Sequence, residues 1–147
     1  MTKSNHMKMQ IPAYGKNESL ARNVVAGFTV ECSPTVSEIN DIKTAVSEAV
    51  TNAVVHAYGA ESESNLIEIC ADIDDSVLTV SVRDFGRGIE NVEEAREPFF
   101  TTKPDDERSG MGFTIIETFM DEMSVESRLG EGTTVTMRKR IGKNVEA

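Results

Sequence analysis

Glu48-Ala-Val-Thr-Asn52-Ala-Val-Val-His56-Ala-Tyr58 is the stretch on which the reading of this chain turns. Glu48, Asn52 and His56 recur every four residues, so a helix sets them in one narrow polar row. Ile39, Ile42, Val46, Ala49, Val50, Ala53 and Ala57 follow helical spacing along a different line and mark a core stripe. Ala45 and Val55 add apolar surface on the flank that carries the polar row. A carboxylate, an amide and an imidazole are thus held against apolar walls, where each requires a partner or a ligand. An exposed helix face that merely happens to carry Glu, Asn and His shows the same spacing, so the surrounding chain has to decide.

The sequence on either side reads as alternating helices and strands. Met7 to Ala13 is a first strand, with Met7, Met9 and Ile11 alternating against Lys8 and Gln10. Asn17 is placed to cap a helix from Glu18 to about Thr29, with Leu20, Val24, Val25 and Phe28 on its apolar face and Arg22 off it, exposed. Thr35 and Glu38 form a capping-box signature for the long helix, which runs to about Tyr58, where Gly59 supplies the C-cap. Leu66 to Ile73 and Val77 to Arg83 are adjacent strands joined at Asp74-Asp75, with Leu78, Val80 and Val82 alternating against Thr79, Ser81 and Arg83. That pattern predicts a sheet with one wet face and one face covered by helices.

Asp84-Phe85-Gly86-Arg87-Gly88-Ile89 follows the strand directly, giving a fixed carboxylate beside a bare backbone turn. A plain surface turn also favours Asp and Gly. The segment from Val92 to Arg108 reads as a short helix and then a lid-like loop, about 92–109. Its Phe99-Phe100 pair requires burial. Ser109-Gly110-Met111-Gly112-Phe113 opens a further helix continued by Ile115, Ile116, Phe119 and Met120; glycine-rich backbone entering a helix N-terminus suits phosphate. A hairpin closes the chain: Glu122 to Ser127, the turn Leu129-Gly130-Glu131-Gly132, then Thr133 to Arg140.

With 147 residues, the chain is read as a single domain, 1–147, large enough for a real core. No apolar run is long enough to span a bilayer and the start lacks a signal-peptide core, so a cytoplasmic protein without a membrane partner is expected. Cys32 and Cys70 have no metal spacing and, with only His6 and His56, make no zinc constellation. The net charge of −10 argues against direct nucleic-acid binding, which runs on Lys and Arg contacts to phosphates. It favours solubility or a basic protein partner without choosing between them.

The order of these signals (a helical Glu-xxx-Asn-xxx-His row, strand–DxGxG, a lid, GxG–helix, then Gly-Thr-Thr in a strand) resembles the GHKL ATP-binding domain from about Glu18 to Arg138. The resemblance implies an α+β two-layer sandwich, a mixed and mostly antiparallel sheet covered on one face by helices. It further implies that Asn52 holds Mg²⁺ bridging the phosphates, a hard-oxygen role suited to an amide. Asp84 would accept the adenine amino group, with Gly86 and Gly88 letting the base pack close. Gly110 and Gly112 would present N–H groups to the phosphates, Thr133 would lie near the adenine, and His56 would be structural. Within that superfamily Glu48–Ala53, Phe100-Thr-Thr-Lys-Pro104 and Arg108–Phe113 are similar to the small bacterial anti-sigma-factor serine kinases. The sporulation, sigma-F branch is nearer than the general-stress, sigma-B branch. Such kinases bind a sigma factor as a homodimer and phosphorylate a serine of an anti-anti-sigma partner. Glu48, one turn before Asn52, would then be the base for that serine hydroxyl. Arg108 would stabilise charge on the transferred phosphoryl group, or be a plain surface charge of the lid. Arg22 would pair with a partner carboxylate, or be a solvated helix charge.

Other functions on this framework make different demands. A histidine kinase requires a phosphorylated histidine on an adjoining helical domain, and an ATP-driven clamp requires transducer domains. A nucleotide-dependent binding module without turnover has no use for a base at Glu48.

Overall fold

The computed structural model describes residues 4–97 and 112–142. Among the described residues five strands form one sheet: β1 (Ser4–Pro12), β2 (Leu66–Asp74), β3 (Val77–Asp84), β4 (Glu122–Arg128) and β5 (Gly132–Arg140). Their spatial order is β1-β2-β3-β5-β4 and every ladder is antiparallel, stricter than the mixed, mostly antiparallel sheet expected. Alternation is clean: Leu78, Val80 and Val82 are buried, as are Ile67, Ile69 and Ile73 of the neighbouring strand. The two-residue turn between β2 and β3 is Asp75-Ser76, one residue later than expected. Both residues have positive φ, 51° and 69°, the twist that a tight antiparallel hairpin requires.

The helices α1 (Asn17–Phe28), α2 (Val36–Asn52) and α4 (Gly112–Phe119) cover one face; α3 (Val92–Ala95) is a single turn. α2 is the centre of this layer, with α1 packed on one side and α4 on the other. Ile42, Ala45, Val46, Ala49 and Val50 are buried against the sheet's Ile67, Ile69, Val80, Val82 and Met137. The capping box at its start is complete. Glu38 N–H donates to Thr35 Oγ1 at 3.1 Å and Thr35 N–H donates to Glu38 Oε1 at 2.9 Å. Gly142 N–H also donates to Glu38 at 3.1 Å, so one buried carboxylate ties the helix start to the end of β5. Burial alone would push the Glu38 carboxyl up. The N–H bonds from Thr35 and Gly142 and the nearby Lys139 charge outweigh it and hold the group below its ordinary range.

Two expectations for α1 are corrected. Asn17 does not cap the helix; it is the first helical residue, and its amide donates to Pro12 O at 2.9 Å, closing the turn out of β1. Leu20 is 46% exposed, because the buried face is set by Ala21 and Val25. Beyond Asn52 the long helix widens into a π-helical turn, Ala53–Tyr58, ended by Gly59 at φ 72° as the C-cap expected there. The short helix expected after Val92 is α3, capped by Asn91; Phe99, Phe100, Arg108 and Gly110, and with them the lid-like loop, lie outside the described residues. Among the described residues no helix is long and apolar enough to cross a membrane.

Candidate functional site

The π-helical turn, the loop after β3, the start of α4 and strand β5 enclose a cavity of about 400 Å³, a volume suited to a small organic ligand. Its walls are mostly apolar (Ala53, Ala57, Ile89, Phe113, Leu129 and Val135), and polar groups converge at separate places.

One polar group is Asp84, buried to 6% exposure at the end of β3. Its Oδ1 accepts the N–H of Gly86 at 3.0 Å and of Thr133 at 3.2 Å. Burial pushes its carboxyl above the ordinary range, and these two N–H bonds only partly offset that. Thr133, itself buried, lines the same wall, and its hydroxyl bonds Ser127 Oγ at 2.7 Å. Gly88 has φ 77°, and a Cβ there would strike the Arg128 carbonyl, so the loop passes this close to the β4–β5 turn only with glycine. Gly86 does not line the cavity; the close approach it permits is to the Ala57 carbonyl of the π-helical turn.

A second polar region is built by Asn52 and Gly112. A Cβ on Gly112 would lie 2.7 Å from Asn52 Nδ2, so the bare first turn of α4 rests against this amide. Asn52 is half-buried and makes no side-chain capping bond where α2 gives way to the π-helical turn. Among the described residues no cluster of three or more His, Cys, Asp or Glu side chains could hold a metal. An Asn52 oxygen beside a phosphate-bearing ligand does fit Mg²⁺, which takes few protein ligands and completes its shell with phosphates and water. His56 lines the cavity, whereas Glu48, half-buried a turn before Asn52, does not.

Three residues to which the sequence assigned no role hold this geometry. Ser127 Oγ accepts Ile89 N–H at 2.7 Å and joins Thr133, binding the loop after Asp84 to the closing hairpin. Arg87 N–H donates to Ala57 O at 3.0 Å and its Nε donates to His56 O, using carbonyls that a helix end leaves without partners. Tyr58 Oη bonds both Leu66 O and Phe85 N–H. Arg22 is not a free guanidinium. It is 35% exposed and paired with Glu18 at 2.6 Å, an i, i+4 partner that spacing could have signalled.

The profile of the histidine kinase-like ATPase domain matches residues 11–139. The anti-sigma F factor of Caldanaerobacter subterraneus subsp. tengcongensis is 52% identical over 144 residues, 98% of this chain and 99% of that protein. That of Clostridium acetobutylicum is 52% identical over 137 residues, 93% of this chain and 94% of that protein. Among solved structures, the RsbU and RsbW domains of a Mycobacterium tuberculosis protein superpose with a TM-score of 0.68 at 24% identity, covering 93% of this chain and 32% of that one. The mycobacterial sensor histidine kinase MprB superposes at 0.56 and 15% identity, over 90% of this chain and 97% of that one. These two structural likenesses concern the fold.

Proposed function

The chain belongs to the histidine kinase-like ATPase family, and from that premise we propose that it is an ATP- and Mg²⁺-dependent protein serine kinase that also acts as an anti-sigma factor. Its partners are a sigma factor of the sigma-F type, which it binds and inhibits, and an anti-anti-sigma protein, whose serine it phosphorylates. It works as a homodimer in the cytoplasm. The observation that carries the nucleotide part is one cavity lined by both a buried carboxylate, Asp84, and the Asn52 amide beside Gly112. Identity of about half over the whole length of anti-sigma F factors supports the partner part.

In this reading the adenine amino group donates to Asp84, and Thr133 lies along the same edge of the base. Gly88 lets the loop close on it. The backbone N–H of Gly112, with that of Gly110 as the sequence motif assigns it, would bind the phosphates, and the Asn52 oxygen would hold the metal ion. Mg²⁺ held there would supply positive charge against that of the phosphates. Glu48 takes the serine proton, and Arg108 draws charge from the transferred phosphoryl group. Incubation with γ-labelled ATP and the anti-anti-sigma partner tests the whole: label on a serine of the partner is expected. ATP bound without transfer would reduce the protein to a nucleotide-dependent binding module.

The raised Asp84 carboxyl carries its own consequence. A folded value above the ordinary 3.8 means that the stability it contributes to the empty protein is full below 3.8 and lost as pH rises through the folded value. Only the ionised form accepts the adenine amino group well. ATP affinity should therefore decline on acidification, starting above the ordinary aspartate range, and Asp84→Asn should lack the share of that decline that the carboxyl causes. Titrations of ATP over a pH series check it.

The Arg22–Glu18 pair gives the partner surface a second test. If Arg22 meets a partner carboxylate, Arg22→Ala should weaken binding of both sigma and anti-anti-sigma proteins about tenfold and leave ATP affinity unchanged. As a mere helix pair it is worth only about 0.3–0.5 kcal/mol of stability. Pull-downs with each partner beside a nucleotide titration distinguish these.

A further inference from the structure

Tyr58 ends the π-helical turn, and the position of its hydroxyl is specific. The last pair of the β2–β3 ladder is Ile67 with Asp84, so one more antiparallel rung would set Leu66 against Phe85. That rung is filled by a side chain. Tyr58 Oη donates to Leu66 O at 2.6 Å and accepts from Phe85 N–H at 2.8 Å, standing between the two backbone groups that the next rung would bring together. Pairing therefore stops at Asp84. The chain bends away at Phe85, and Gly86 N–H turns back onto Asp84 Oδ1.

We infer that Tyr58 is a positioning residue for base recognition: its hydroxyl replaces the terminal rung of the ladder and so fixes where the Asp84 carboxylate meets the ligand. The inference rests on the reading of Asp84 as the adenine acceptor. The bond to Leu66 O requires the phenol proton, and burial, together with the Asp84 charge, pushes the Tyr58 hydroxyl above its ordinary value, keeping it protonated. The π-helical turn belongs to the same device. Its wide turn, of a kind that recurs at functional sites, delivers Tyr58 to the strand ends and leaves the His56 and Ala57 carbonyls for Arg87. With phenylalanine at 58, Leu66 O and Phe85 N–H either stay unpaired or close onto each other. Either outcome removes the tie that fixes the residue after Asp84, and with it the position of the carboxylate set against Thr133 N–H.

Calorimetry with two Mg²⁺-nucleotides tests this: ATP, and purine riboside triphosphate, which lacks the amino group. Tyr58→Phe should weaken ATP about three- to tenfold, the scale of a lost hydrogen bond, and leave purine riboside triphosphate at its wild-type affinity. Combined with Asp84→Asn it should add nothing further. Equal losses for both nucleotides, or losses that multiply in the double variant, would assign Tyr58 a merely structural role and overturn the inference; so would wild-type ATP affinity in Tyr58→Phe. Wild-type affinity in Asp84→Asn alone would instead remove the reading beneath it. Should Tyr58→Phe not fold, 3,5-difluorotyrosine at 58 supplies the second probe. Its hydroxyl ionises at lower pH, so ATP affinity should fall as pH rises while that for purine riboside triphosphate holds; identical profiles would overturn the inference.

Discussion

ATP–Mg²⁺ binding is expected to fall by roughly two to three orders of magnitude in Asn52→Ala and in Asp84→Asn, with the fold intact in both, since each change removes a charge-assisted or metal-linked contact at a desolvated site. Asp84 Oδ1 already accepts two backbone N–H groups, and an amide oxygen in the same place can keep both. The loop after β3 therefore holds its shape in Asp84→Asn. What changes is the other half of the group, where an –NH₂ now faces the adenine amino group, donor against donor. Asn52 is the last residue of α2 and its side chain makes no capping bond, so alanine there breaks no helix terminus and improves helix propensity. The loss then would fall on the phosphates and the metal ion that Asn52 would hold. Calorimetry with ATP and Mg²⁺, beside melting curves of the unliganded proteins, checks both parts. Wild-type affinity in the two variants would remove the nucleotide reading altogether.

The placement of those two residues on one cavity was legible because their signals are local. A buried helix row and an Asp at a strand end both announce themselves in spacing, and the capping box, Gly59 and the alternation in β3 did the same for the frame around them. What stayed illegible depends on contacts that no residue spacing encodes. A π-helical turn shifts its hydrogen bonds by one residue without any period of its own, so 53–58 read as ordinary helix. Ser127 in a closing strand looks like any outward serine until Ile89 and Thr133 are brought to it. Asn17 misled for a related reason: Asn at a helix start favours a cap, yet a carbonyl five residues back took its amide first. Lys139 was given no role, although it is buried in β5 with its Nζ donating to Phe119 O at 2.9 Å and 3.5 Å from Asp41. A cation at the C-terminal carbonyls of α4 is favourable, but only the fold brings them together.

Glu48→Gln is expected to retain ATP affinity and to lose serine phosphorylation by roughly two to four orders of magnitude, the usual worth of a positioned base. The position of Glu48 bears on both halves. It is half-buried one turn before Asn52 and does not line the cavity wall, whereas Asn52 and His56 of the same row do. A group that meets the incoming hydroxyl, and not the nucleotide, belongs on that border. Its removal therefore should not register in an ATP titration. Glutamine preserves volume and one oxygen acceptor but cannot take a proton, so orientation of the hydroxyl survives while its deprotonation does not. Phosphoryl transfer draws most of its rate from positioning and charge neutralisation, which in the proposed reading remain with Asn52, Gly112 and the metal ion that Asn52 would hold. That sets the expected loss at the scale of one proton transfer, well short of the full rate enhancement. Single-turnover transfer of label from γ-labelled ATP to the anti-anti-sigma partner, at saturating nucleotide, isolates this step. A rate within a few-fold of wild type would exclude Glu48 as the base, and a parallel loss of ATP affinity would move it into the nucleotide site.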